Sequence, residues 1–281
     1  MKIPKKIKPL IEDGVISEVV QPIMSGKEAS LYVVRSGKEI RCAKVYKEAN
    51  KRNFKKSTQY REGRKTKNSR RARAIQKGSK YGKEQQDRSW QNAEIETIRR
   101  IKAVGVKVPE TYGYFEGVLL MELITNKEGE IAPRLADINL SRERALIEYT
   151  VILRYVVYML HEGVIHGDLS EFNVLSGKDG LVIIDLPQAI DASSNNNAEL
   201  MLKRDVDNMT KYFSNFAPEL TSTKYGDEIW SLYMDGNLRP NIPLSGIYSE
   251  YTEVTNIDAV IQEIKAVISE EKARLAKIKG S

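Results

Sequence analysis

The chain has 281 residues, 41% hydrophobic and 30% charged, enough apolar content for a real core and too much for bulk disorder. One cysteine, Cys42, and two histidines exclude a disulfide scaffold and a Cys/His zinc centre within the chain. The formal net charge of +7 is unevenly placed: Lys47 to Arg88 carries sixteen Lys or Arg against four Asp or Glu, a local excess of +12, and the remainder stands at −5.

The opening MKIPKKIKPLIEDGV is basic without a continuous apolar core, unlike a secretory signal, and has no Arg-rich transit character. Ile7 to Val20 reads as a short helix. Ala29 to Arg35 and Ile40 to Tyr46 alternate apolar and polar residues around Ser36-Gly37-Lys38, a hairpin signal. The basic segment follows and reads as a solvated, flexible insertion over 47–89. Trp90 to Val104 places Ile95, Ile98, Ile101 and Val104 three apart, an amphipathic helix closed by Gly105. Tyr112 to Ile124 gives two strand-like runs around Glu116-Gly117.

Ser141 to Glu162 reads as a long helix with Ser141 as N-cap. Within it, Val151 to Leu160 is the most apolar stretch of the chain, yet Arg154 interrupts it and it is too short to span a bilayer. Two short apolar strands follow around Lys178-Asp179-Gly180. Leu200 to Phe213 and Ile257 to Ile278 read as helices, the second with Val260, Ile261, Ile264, Val267 and Ile268 on one face, suited to packing on its own lobe or to a dimer contact. Strands first and helices later predict an α+β fold of two lobes with a cleft between them. The expected boundary divides an N-terminal lobe, 1–122, from a helical lobe, 123–281. The expected setting is soluble, reducing and cytoplasmic, with no membrane association, as a monomer or weak dimer.

The strongest chemical signal is His166-Gly167-Asp168, then Asn173, then Asp185 after Leu181-Val182-Ile183-Ile184. Phosphoryl transfer from ATP needs a carboxylate to orient the attacking group and oxygen ligands for Mg²⁺. Asp168 with Asn173 fits a kinase catalytic loop, and Asp185 fits the metal-binding aspartate at a strand end. Lys44 follows Ala43 in a strand, as in the Val-Ala-Ile-Lys pattern, and calls for a glutamate partner on the next helix. Glu94 and Glu96 point to different helix faces; Glu94 is the expected partner. The Gly-rich phosphate loop of ordinary kinases is replaced by Met24 to Ser30, where backbone amides, the hydroxyls of Ser25 and Ser30 and the Lys27 ammonium suit phosphate.

In these strings, SGKEASLYVV, CAKVYKEA, NSRRAR, LLMEL, APRL, HGDLSEFNVL and IIDLPQAID, the chain resembles the RIO family of atypical serine/threonine protein kinases, in particular a bacterial branch close to the first RIO type. The resemblance runs from about Ile3 to Asp207 and implies a shortened, protein-kinase-like two-lobe fold with a hinge near Glu122 to Ile124. It implies ATP with Mg²⁺ (or Mn²⁺) as cofactors. Ser25, Lys27 and Ser30 fall on the phosphate loop, Lys44 on phosphate positioning, and Met121, Glu122 and Ile124 on the adenine site. Asp168 is then the catalytic aspartate, with Asn173 and Asp185 for metal. Gly167 stands where ordinary kinases have arginine, and no Ala-Pro-Glu string closely follows Asp185; Ala217-Pro218-Glu219 reads as coincidence. The usual activation segment and peptide-docking parts are therefore expected to be absent. In RIO proteins ATP hydrolysis with transient phosphorylation of the metal-binding aspartate can act as a switch on ribosomal precursors, a role that falls here on Asp185. The basic insertion 47–88 suits a ribosomal precursor, RNA or an acidic protein.

The alternative is a small-molecule kinase of the aminoglycoside or choline phosphotransferase kind, which shares His-Gly-Asp. Those carry a second histidine where this chain has Ser170. A third class, a binding module using nucleotide only as a structural ligand, is opposed by the intact Lys44, Asp168, Asn173 and Asp185 set.

Overall fold

The computed structural model describes residues 3–47 and 94–249. The chain divides into two compact units, Met1–Ile247 and Tyr248–Ser281, and the first carries every element below. The basic insertion and the helix read over Ile257–Ile278 lie outside the described residues.

Helix α1 spans only Lys8–Glu12 and ends at Asp13, before Gly14 at φ +71°. The helix expected to reach Val20 is therefore corrected: Glu18–Ser25 is strand β1. The left-handed glycine stops the helix, and β-branched Val19 and Val20 favour extended backbone. Pro22, which lacks an N–H, sits in this edge strand where the register breaks. Strands β2 (Ala29–Ser36) and β3 (Glu39–Tyr46) form the expected hairpin, Ser36 pairing Glu39 across Gly37 at φ +61°. Helix α2 covers 94–103 of the described residues and closes at Gly105. Strands β4 (Thr111–Phe115) and β5 (Val118–Glu122) turn on Glu116-Gly117 as read. The sheet order is β1-β2-β3-β5-β4, antiparallel throughout, and Lys44 on β3 pairs with Leu119 on β5.

The chain leaves β5 into the helical lobe. Helix α3 (Arg142–His161) starts at Ser141, whose hydroxyl accepts from the Arg144 N–H at 3.2 Å. Strand β6 (Val164–Ile165) leads into the loop bearing Asp168. Strands β7 (Val174–Gly177) and β8 (Gly180–Ile183) pair as a hairpin, and β9 (Ile190–Asp191) pairs with β6. Helix α4 (Ala198–Ser214) begins two residues ahead of the expected position, and α5 (Tyr225–Met234) follows. The architecture is α+β, a five-stranded antiparallel sheet followed by a mainly helical part.

Two apolar cores hold it. The smaller joins Ile7, Leu10 and Ile16 to Val34, Ala43, Val45, Val118 and Leu120, so α1 covers one face of the sheet. The larger is built on α3 and α4, and it also takes Ile98 and Ile101 of α2 and Val106 and Val108 after it. Helix α2 thus follows the sheet in sequence but buries its apolar stripe with the helical lobe. Phe213 is fully buried and packs on Tyr149 at 5.4 Å and Tyr212 at 5.1 Å between ring centroids. Phe213→Ala is expected to cost about 3–5 kcal/mol of unfolding free energy; urea denaturation showing a loss under about 1 kcal/mol would contradict this packing.

Candidate active site

Lys44, Cys42 and Tyr46 share one face of β3, because alternate strand residues point the same way. The Lys44 ammonium donates to Glu94 Oε1 at 2.7 Å and to Asp185 Oδ1 at 2.9 Å. Lys44 is 8% exposed and Glu94 3%, while Glu96 is exposed. The helical period therefore separates the two glutamates: Glu94 meets β3 and Glu96 faces away. Tyr46 donates its hydroxyl to Glu94 Oε2 at 2.6 Å, so both oxygens of the buried carboxylate are satisfied. Burial alone would lower the Lys44 pKa, but Asp185 and Glu94 outweigh it and hold the ammonium charged, well above its ordinary value. Lys44, in turn, pulls the Asp185 carboxyl below its usual range.

Asp185 sits at φ +65°, a left-handed conformation uncommon for a side chain larger than glycine. Its backbone neighbours tie it to the Asp168 loop: the Ile184 N–H donates to Asn173 O at 3.0 Å. The Asn173 amide donates to Asp168 O at 2.8 Å, which commits its nitrogen and leaves Oδ1 as the metal-capable atom. Asp168 is exposed, and its carboxylate makes no hydrogen bond among the described residues. Asn173 and Asp185 are hard oxygen donors, the kind Mg²⁺ takes alongside phosphate oxygens and water. Among the described residues no cluster of three His, Cys, Asp or Glu forms an all-protein metal cage.

The loop Gly167–Leu169 is gripped from α4. Asp205, 2% exposed, accepts from the Gly167 N–H at 2.7 Å and the Leu169 N–H at 3.1 Å. Arg204 donates to Gly167 O, and Asn208 donates to Leu169 O at 3.1 Å. Burial pushes the Asp205 carboxyl up to about 7 against the pull of those two N–H donors. Gly167 is at φ +81°, which gives a backbone reason for glycine there. Sequence reading missed this group; the available signal was a carboxylate among Met201, Leu202, Val206 and Met209, the buried stripe of α4.

In the Met24 to Ser30 stretch, Ser25 and Ser30 share a hydrogen bond of 2.9 Å between hydroxyls. Lys47, which charge counting assigned to the insertion, reaches back to Ser25 Oγ at 3.2 Å and to Gly26 O. Lys27 is exposed at the loop tip. Met121 pairs Cys42 on the Lys44 face. The Ile124 N–H makes no hydrogen bond among the described residues, whereas Ile124 O accepts from Ala132. The Glu122 carboxylate is turned to the sheet, Oε2 accepting from the Glu110 N–H at 3.1 Å. At Glu122 to Ile124 the uncommitted group is thus a backbone N–H, while the Glu122 side chain is engaged.

His166 is buried. Its Nδ1 accepts from the Asp168 N–H at 3.3 Å, so in the neutral ring Nε2–H donates to Ile184 O at 3.1 Å. Burial lowers its pKa below 6.5. The folded protein then binds fewer protons than the unfolded chain just below pH 6.5, so stability contributed by neutral His166 is lost as pH falls through that range toward the folded pKa. Asp205, raised to about 7, gains stability over the same fall in pH, so the test is differential: from pH 7.5 to 5.5 the urea-derived stability of the wild type is expected to fall relative to that of His166→Gln, by on the order of 1 kcal/mol per pH unit at most. Equal slopes would contradict a neutral His166.

Comparison with known proteins places these residues in a family. The RIO domain model matches residues 30–225. The RIO-type serine/threonine-protein kinase Rio1 of Haloferax volcanii is 32% identical over 205 residues, 73% of this chain and 66% of that protein. Its counterpart of the same name in Methanocaldococcus jannaschii is 30% identical over 200 residues, 70% and 63% of the two chains. The human serine/threonine-protein kinase RIO1 is 28% identical over 206 residues, 73% of this chain but 34% of that one. The matched stretch thus spans just under two thirds of the archaeal relatives and about a third of the human one. The chain that brings Lys44, Glu94 and Asp185 together beside the His166–Asn173 loop belongs to the RIO domain family.

Proposed function

We propose that this chain transfers the γ-phosphoryl group of ATP in the presence of Mg²⁺ or Mn²⁺, as a RIO-type serine/threonine protein kinase. The carrying observation is the Lys44 ammonium held between buried Glu94 and Asp185, next to an uncommitted Asp168. Two of the three Lys44 donors are committed, and the third suits a phosphate oxygen. Asp168 orients the attacking hydroxyl. Asn173 and Asp185 hold the divalent ion, which, when bound, neutralises charge on the phosphates. Ser25, Lys27 and Ser30 line the phosphate end. Glu122 O and the Ile124 N–H suit the adenine edge, with Met121 behind it. The catalytic body of this reading is the first compact unit, its lobes parting near Glu122.

The short path from Asp185 to α4 bears on the acceptor. Helix α4 begins thirteen residues past Asp185, and β9 within that stretch is tied back to β6. That leaves little chain to build a peptide-docking platform, which favours autophosphorylation or ATP hydrolysis used as a switch, with Asp185 as a transient phosphoryl acceptor. A ribosomal precursor, RNA or an acidic protein is the proposed partner class for the basic segment 47–88.

Incubation with [γ-³²P]ATP and Mg²⁺, scored for free phosphate and for labelled protein, tests this. Asp168→Ala is expected to lower turnover by at least ~100-fold with ATP affinity changed less than ~3-fold, and Asp185→Ala to abolish metal-dependent turnover. Turnover unchanged in Asp185→Ala, or ATP binding lost with normal residual catalysis in Asp168→Ala, would overturn it.

A further inference from the structure

A cavity of about 380 Å³ is lined by none of Lys44, Met121, Asp168, Asn173 and Asp185, and meets the proposed nucleotide site only at Glu122 and Ile124. Glu122 to Thr125 form one wall, the segment after α2 forms another, and the β7–β8 turn forms a third. Its apolar lining includes Val106, Val108 and Val182, with Leu123 and Ile124 on the hinge wall. Three ammonium groups border it, each from a different element: Lys102 in the last turn of α2, Lys107 in the α2–β4 connection, and Lys178 in the β7–β8 turn. Two carboxylates, Glu122 and Asp179, also line it; Glu122 is engaged by the Glu110 N–H.

None of the three lysines has its donors used up. Lys102 pairs with Glu110, Lys107 donates to Asp179 O, and Lys178 is exposed at the rim. An ammonium has three donors, so each of these heads retains capacity for an anion. Nothing in the phosphoryl-transfer reading uses any of them.

We infer that this cavity is a second ligand site, taking a small organic phosphate whose anionic head meets Lys107 and Lys178 and whose apolar body lies on Val106, Val108 and Val182. The combination decides the class. Bare phosphate leaves the valine walls unused, and a neutral apolar molecule leaves the remaining donors of Lys107 and Lys178 unused. The site is wired to the hinge by backbone bonds. Lys107 O accepts from the Ile183 N–H, two residues ahead of Asp185, and the Lys178 N–H donates to Thr125 O. Glu110, the ion partner of Lys102, exchanges backbone and side-chain bonds with Glu122. A ligand here bears on the α2–β4 connection, the Glu122–Thr125 segment and the β7–β8 hairpin.

Calorimetric titration of 1-naphthyl phosphate into the full chain, with and without saturating AMP-PNP and Mg²⁺, tests the site. Expected is one bound probe per chain in both conditions, with affinity at least ~10-fold above that of 1-naphthol and of inorganic phosphate. Lys107→Gln combined with Lys178→Gln should weaken it by ~10-fold or more; Lys178→Gln alone, on an exposed turn, gives a partial loss and serves if the pair fails to fold. Competition with AMP-PNP, equal affinity in the variants, or no binding of the probe at millimolar concentration would overturn the assignment. Failure of AMP-PNP itself to bind would count against the kinase reading and leave the nucleotide-free titration to decide this one.

Discussion

A buried ammonium is tolerated only with opposite charge beside it, and in this protein that constraint ties three distant parts of the chain together. Lys44 comes from the centre of the sheet, Glu94 from α2 and Asp185 from the end of β8. Taking Glu94 away removes the enclosed partner of Lys44 and strands the Tyr46 hydroxyl, and breaking a buried pair of this kind costs about 3–5 kcal/mol; Asp185, open to solvent, contributes less. The arrangement is also asymmetric. Glu94 is enclosed and fully satisfied by Lys44 and Tyr46, whereas the Asp185 side chain is 47% exposed. The glutamate arm anchors; the aspartate arm opens to solvent, where a metal and phosphate can reach it.

The rest of the fold serves that contact. Packing Ile98 and Ile101 of α2 into the helical lobe's core fixes the helix that carries Glu94. The bond from Ile184 N–H to Asn173 O fixes Asp185 against the Asp168 loop. Helix α4 holds that loop through Arg204, Asp205 and Asn208, leaving Asp168 exposed on a backbone clamped on both sides. Mobility is thus restricted along the loop backbone, and side-chain freedom is retained at the solvent-facing Asp168 carboxylate.

Local spacing made much of this legible. Asp168, Asn173 and Asp185 lie within one short stretch, so their proximity follows from a loop and a hairpin. Strand alternation put Lys44 on a definite face, and the helical period distinguished Glu94 from Glu96. Legibility ended where a side chain acts across long sequence separation. Asp205 is 37 residues from Asp168, and only folding α4 under the loop reveals its two N–H bonds. Alternation alone gave Tyr46 no role beyond ending its strand, and Lys47 disappeared into a charge count although it reaches back to Ser25 and Gly26. At the amino end, Gly14 overruled the helical pattern: backbone conformation at one residue converted the expected helix tail into β1. Helix α5 also went unread, its polar first turn masking the buried Ile229.

Lys44 and Glu94 are expected to act as a coupled unit in nucleotide binding. A double-mutant cycle on Mg²⁺-ATP affinity with Lys44→Met, Glu94→Gln and both measures that coupling directly. The account predicts that the second substitution costs little once the first is made, with a coupling of at least about 1 kcal/mol. Additive losses would contradict it, showing that Lys44 is positioned without Glu94.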